Sequence, residues 1–89
     1  MRFTWSEAKR RRNLHQHGLD VRETPRVFEG VTYTFEDDRF TYDEWRFVTL
    51  GLLAGVPVSI VHTETIDDIR IISFRKTTRR EATIYFEAI

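Results

Sequence analysis

Three arginines fall on stretches that read as β-strands, where a rigid element would hold them in place: Arg46, Arg70 and Arg75. A planar, permanently charged guanidinium matches the oxygens of a phosphate. His62 lies on another such stretch, and an unperturbed imidazole titrates near neutral pH, which makes it a candidate general base or acid. Glu44, two residues ahead of Arg46, is the candidate for the complementary role. Cleavage of RNA without a metal needs this inventory: a base for the 2′-hydroxyl, an acid for the leaving oxygen and cations around the crowded phosphate. Arg79 and Arg80 extend it, because they fall in the first turn of a predicted helix, where the dipole disfavours cations unless an anion binds. Lys9, in a basic run, and the phenol of Tyr85 complete the set of candidate ligand contacts.

Each residue also has a plainer reading. His62 sits on the apolar face of its strand, as hydrogen-bonded core histidines do. Glu44 and Arg46 can pair across a strand edge. The Lys9 stem can cover Trp5, and Tyr85 belongs to an apolar helical stripe. Neither metal nor cofactor is expected. His15 and His17 would point roughly 200° apart on a helix, and the glycines lack the spacing of a phosphate loop.

The elements that must position these groups follow from pattern. Thr4-Trp5-Ser6-Glu7 reads as a capping box opening a helix that runs through Lys9 to about Gln16 and stops at Gly18. A second short helix ends at Gly30. It starts either at Asp20 or at Thr24, the latter placing Pro25 at the first helical position. Alternation then predicts four strands: Val31 to Phe35, Trp45 to Leu52, Val56 to Glu64 and Ile69 to Arg75, the last three an antiparallel meander. Thr78-x-x-Glu81 opens a C-terminal helix with Ala82, Tyr85, Phe86 and Ile89 as its apolar stripe. The expected architecture is a small single α+β domain over residues 1–89: two N-terminal helices, a four-stranded largely antiparallel sheet and a C-terminal helix.

Composition fits that picture. The chain has 89 residues, 40% hydrophobic and 31% charged, with no cysteine, which excludes a disulfide scaffold and a thiolate metal site. No apolar run approaches the roughly 20 residues that span a bilayer, and charge follows the first five residues, so a cytoplasmic, membrane-free protein is expected. Net charge is zero but unevenly placed. Residues 1–30 carry seven Lys/Arg against four Asp/Glu, residues 31–68 two against eight, and residues 69–89 five against two. If the fold brings the ends together, one face suits a polyanion and the acidic middle suits a basic partner.

Taken together, several segments resemble the BrnT family, the toxin half of a bacterial type II toxin–antitoxin pair. They are Trp5-x-x-x-Lys9-x-x-x-Asn13 with His17-Gly18, Glu44-x-Arg46-Phe47-x-Thr49-x-Gly51, Val61-His62-Thr63-Glu64, and Ile69-Arg70-Ile71-Ile72-Ser73-x-Arg75-Lys76 followed by Arg79-Arg80-Glu81. Two departures stand out: Gln16 replaces a basic residue common before His-Gly, and Pro25 interrupts a usually continuous helix. The resemblance implies a fold like that of the RelE-type ribonuclease toxins and RNA cleavage that stops translation and growth. It also implies neutralisation by a BrnA-type antitoxin whose ribbon-helix-helix domain binds operator DNA, in a hetero-oligomer built around an antitoxin dimer that represses its own operon. The family's charged positions fall on Lys9, Glu44, Arg46, Arg70 and Arg75. Two alternatives to a ribonuclease stay open: a non-catalytic corepressor module, or a toxin with a non-RNA target, as for gyrase-directed toxins of the same broad fold. The acidic Asp37, Asp38 and Asp43 are the expected docking points for a basic antitoxin element.

Overall fold

The computed structural model describes residues 1–38 and 44–89. In chain order the elements are β1 (Arg2–Thr4), α1 (Glu7–His17), a 3-10 turn (Val21–Glu23), α2 (Thr24–Phe28), β2 (Tyr33–Glu36), β3 (Phe47–Leu53), β4 (Val56–Glu64), β5 (Asp68–Lys76) and α3 (Arg79–Ala88). The strands form one sheet in the order β1-β5-β4-β3-β2, antiparallel except where β1 lies parallel to β5. The α+β class and the meander are as expected; the strand number is five, not four. The extra strand is three residues long, too short for alternation to reveal, and only its pairing with β5 makes it a strand.

That pairing also displaces the expected first cap. Thr4 lies in β1 opposite Arg70, and Ser6 caps α1 instead, accepting from the Lys9 amide. Gly18 ends α1 at φ 70°, donating its N–H to Leu14. In place of a second full helix, Asp20 caps the 3-10 turn through the Arg22 amide, and five-residue α2 follows with Pro25 in its first turn, where no N–H is needed. Thr24 is not the N-cap of α2: it is the helix's first residue, and its buried hydroxyl donates to the Val21 carbonyl.

Two apolar layers clothe the sheet. On the α1/α2 side Val21, Val27, Val58, Ile60, Ile69, Ile71 and Phe74 form the larger core. On the α3 side Val48, Leu50 and Val61 pack with Tyr85. Between His62↔Ile71 and Val61↔Ser73 the register slips by one, leaving Ile72 as an extra residue in β5. The bulge turns Phe74 onto the side of Ile69 and Ile71, and Ser73 and Arg75 onto the α3 side, which Arg70 ahead of it already faces. The apolar stripe expected of α3 is largely uncovered. Tyr85 is buried, while Phe86 and Ile89 are more than half exposed.

α1 is tied to the sheet by one polar side chain. β1 pairs with β5 only as far as Arg70, and beyond it the buried Asn13 amide stands in for a strand. Its nitrogen donates to the carbonyls of Phe74 (2.7 Å) and Leu19 (3.0 Å), and its oxygen accepts the Phe74 N–H (2.9 Å). No helix among the described residues is long and apolar enough to cross a membrane.

Candidate functional site

The expected site residues separate into three groups. The first lies on the α3 side of the sheet, past the end of the helix. Arg70 of β5 is half exposed and its Nη2 lies 3.7 Å from Oε1 of the half-exposed Glu44. Arg46 stands just ahead of β3, two residues before Val48, so strand alternation puts it on the same side; its carbonyl accepts the Asp37 N–H. Beside this group Glu44, Trp45, Phe47, Thr63, Glu64 and Thr65 line an open cavity of about 560 Å³. Trp45 is 70% exposed, an unusual cost for so large an apolar surface.

His62 lies beside that cavity, on the face of β4 shared with Phe47 and Glu64 of its lining, with no exposed surface. Its ring stacks on Phe47 and meets Phe28 edge-on. Nε2 bonds the Thr49 hydroxyl at 2.7 Å, which in turn bonds the Thr34 hydroxyl at 2.7 Å. Nδ1 lies 3.5 Å from the Glu64 carboxylate and makes no hydrogen bond among the described residues. Burial pushes the imidazole down to about 4, so it is uncharged at neutral pH. Its expected role as a base or acid touching RNA gives way to that of a buried histidine beside Glu64.

The second group sits where β5 runs into α3. Arg75 does not face solvent as a free cation: its guanidinium is held in a two-pronged pair by Glu81, at 2.8 and 3.0 Å. Glu81 also completes the α3 capping box with Thr78. Burial works to raise the Glu81 carboxyl, but Arg75 and the Thr78 amide prevail and its pKa falls below the usual value. The pair borders an acid-rich cavity of about 100 Å³ with Phe35, Glu36, Asp37, Asp38 and the buried Ser59. Of the expected docking carboxylates, Asp38 is exposed, Asp37 is buried and Asp43 lies outside the described residues. Tyr85 is buried, with its hydroxyl donating to the Val31 carbonyl at 2.8 Å, as its plainer reading as a core residue has it. Arg79 and Arg80 are exposed in the first turn of α3, as expected.

The third group lies across the molecule. Lys9, Arg12, Asn13, Gln16 and His17 follow one another at helical spacing along α1 and, with Ile72 and Ser73 of β5, line a groove of about 230 Å³ that contains no carboxylate. The rest of the basic run is neutralised: Arg10 pairs with Glu7 and Asp20, and Arg11 lies 3.7 Å from Glu7. Hydrogen bonds from the Arg22 side chain and backbone hold Asp20 down to about 2. Among the described residues, Lys9, Arg12, Lys76, Arg79 and Arg80 are the cations without a carboxylate partner.

The structure thus joins Glu44 to Arg70, keeps Arg75 apart in its own ion pair, and sets Lys9 on a different surface. Sequence reasoning missed Trp45 and Glu64 at the cavity and Arg12 and His17 in the groove. Alternation puts Trp45 on a strand face, whereas β3 begins only at Phe47; Arg12 needs the i, i+3, i+4 spacing counted from Lys9 rather than from Trp5. Among the described residues no three His, Asp or Glu side chains gather as a metal site. Comparison with curated proteins finds no match. A family sequence model, described as the ribonuclease toxin BrnT of type II toxin–antitoxin systems, matches residues 5–81. That span takes in β4, which carries Glu64, and β5, which carries Arg70. With most of the chain inside the match, the protein belongs to the BrnT family of ribonuclease toxins, whose type II systems pair toxin with antitoxin.

Proposed function

We propose that this chain is a metal-independent endoribonuclease whose reaction centre is the Glu44–Arg70 pair with Arg46 beside it. The observation that carries the reading is the pair itself: a carboxylate and a guanidinium 3.7 Å apart, both half exposed, on the rim of an open cavity. Glu44 takes the proton of the ribose 2′-hydroxyl, whose oxygen attacks the adjacent phosphorus. A 2′,3′-cyclic phosphate forms as the bond to the 5′-oxygen breaks, and that oxygen takes a proton from water in the open cavity. Arg70 and Arg46 stabilise the charge gathering on the phosphate oxygens, the means by which such a site lowers its barrier most. His62 acts as a positioning residue beside the cavity. Arg75 fastens α3 to β5, and Lys9, Arg79 and Arg80 hold the RNA backbone. In the cell this activity stops translation and growth, on a fold like that of the RelE-type toxins. A BrnA-type antitoxin with a ribbon-helix-helix domain neutralises it, docking basic side chains on Glu36 and Asp38, and the complex represses its own operon.

The corepressor reading has one observation in its favour, since Arg70 and Arg75 both already hold carboxylates. Incubation with end-labelled RNA in EDTA separates the two. The native protein should yield fragments ending in 2′,3′-cyclic phosphate. Arg70→Ala should lose ~100-fold or more in rate, and Arg75→Ala should lose rate only in step with its loss of folded protein. Full activity of a folded Arg70→Ala would remove Arg70 from the reaction, and RNA left intact by the native protein would favour the corepressor.

A further inference from the structure

We infer that the cavity beside Arg70 is a base-recognition pocket in which Trp45 stacks on a guanine and Glu64 accepts hydrogen bonds from its Watson–Crick edge. The inference rests on the ribonuclease reading and adds to it which nucleotide is presented.

The cavity combines two things that a nucleobase needs. Trp45 supplies a flat apolar face with 70% of its surface exposed, held at the lip of the sheet directly after Glu44. Base–aromatic stacking is a general means of holding single-stranded RNA and is indifferent to sequence. The polar lining then discriminates. Thr63, Thr65 and two carboxylates face the space. Glu44 is engaged with Arg70, while Glu64 has no cationic partner among the described residues except the buried imidazole 3.5 Å away. That imidazole is neutral. In the tautomer whose Nε2 accepts from Thr49, the proton sits on Nδ1, a buried atom 3.5 Å from the Glu64 carboxylate with no hydrogen bond among the described residues. An uncharged ring at that distance leaves the carboxylate its negative charge.

A carboxylate only accepts hydrogen bonds, and two oxygens accept from two parallel donors. Guanine alone offers two adjacent N–H donors on its Watson–Crick edge, at N1 and N2. Adenine and cytosine place an acceptor nitrogen beside the amino group, and uracil flanks its single N–H with two carbonyls, so each sets a lone pair against a carboxylate oxygen. Guanine is therefore the base this lining favours. A guanine stacked on Trp45 brings its own phosphate toward Arg70, which is fixed next to the pocket through Glu44.

Two readouts test this. Titration with the four nucleoside 3′-monophosphates should quench tryptophan fluorescence with the guanosine nucleotide binding ~10-fold or more tightly than the others. Trp45→Phe should abolish the quenching signal, and Trp45→Ala should lower cleavage ~10-fold or more. Glu64→Gln, which places an amide donor where an acceptor stood, should erase the preference for guanine in both titration and cleavage map. Trp45 and Glu64 are exposed, so neither change disturbs the core. Equal quenching by all four nucleotides, or an unaltered guanine bias in Glu64→Gln, overturns the pocket even if RNA is still cut. Guanine-selective quenching with RNA left intact supports the pocket and defeats only the ribonuclease reading.

Discussion

His62 shows how one residue type can answer two different needs. An imidazole offered to RNA would have to reach solvent, yet this one is packed between Phe28 and Phe47 and commits Nε2 to Thr49. Its pKa is lowered to about 4 from the ordinary 6.5 by burial, so the unfolded chain binds a proton that the folded protein refuses between those values. Stability is then full above about pH 6.5 and falls as pH drops toward 4, by an amount on the order of 3 kcal/mol. The paired carboxylates act in a lower window. Asp20, held down to about 2, gives up its contribution only as pH falls below its ordinary 3.8. Urea unfolding at pH 7, 5.5 and 4.5 should show the native protein losing stability across this range. His62→Gln, which keeps a hydrogen bond to Thr49 but does not titrate, should be nearly flat there. An equal slope in both proteins would move the acid sensitivity to another group.

Among the elements, those built from neighbouring residues were legible in the sequence and those built by distant partners were not. β4 matches its predicted limits, and the α3 capping box forms with both of its hydrogen bonds. Each needs only local alternation or a four-residue motif. β1 exists because Arg2, Phe3 and Thr4 find Asp68, Ile69 and Arg70, and no local pattern announces a three-residue strand. The Thr4 box does not form for that reason: the same hydroxyl residue fits a cap or a strand, and the parallel pairing decides. The Glu44–Arg70 contact joins two segments far apart in sequence, so residue types named both partners but not their meeting. Asn13 belongs to the same class. Its spacing from Lys9 was visible, its use as a substitute strand partner was not. Replacing it with alanine leaves the Phe74 N–H and carbonyl unpaired in a buried place. At about 1–3 kcal/mol for each unsatisfied group, Asn13→Ala should cost roughly 2–6 kcal/mol and release α1 from β5. Amide exchange at Phe74 should then quicken more than at Ile60, its neighbour in β4. Unchanged protection at Phe74 would mean that the α1 packing, not the amide, holds this edge.

A molecule with no net charge can offer a basic surface only by placing its charges unevenly, and the fold does so by pairing many of its arginines internally. Arg2, Arg10, Arg22, Arg26, Arg70 and Arg75 each hold a carboxylate. Lys9 and Arg12, left unpaired along the α1 groove, meet no acid in its lining. Phosphate contacts of this kind would position a strand without reading it, and would complement the base reading proposed for the cavity beside Arg70. Each phosphate neutralised on single-stranded RNA adds roughly 0.7 to the slope of log affinity against log salt. In an Arg70→Ala background, which keeps bound RNA intact, Lys9→Met with Arg12→Gln should therefore reduce that slope by about 1.4. Arg11→Gln, on a side chain already beside Glu7, is the control and should change it little. An unchanged slope in the double variant would take the groove out of the RNA path. A double variant that instead lost its antitoxin while holding RNA normally would make the groove a protein-binding edge, since among the described residues β5 has no strand on its β1 side past Arg70.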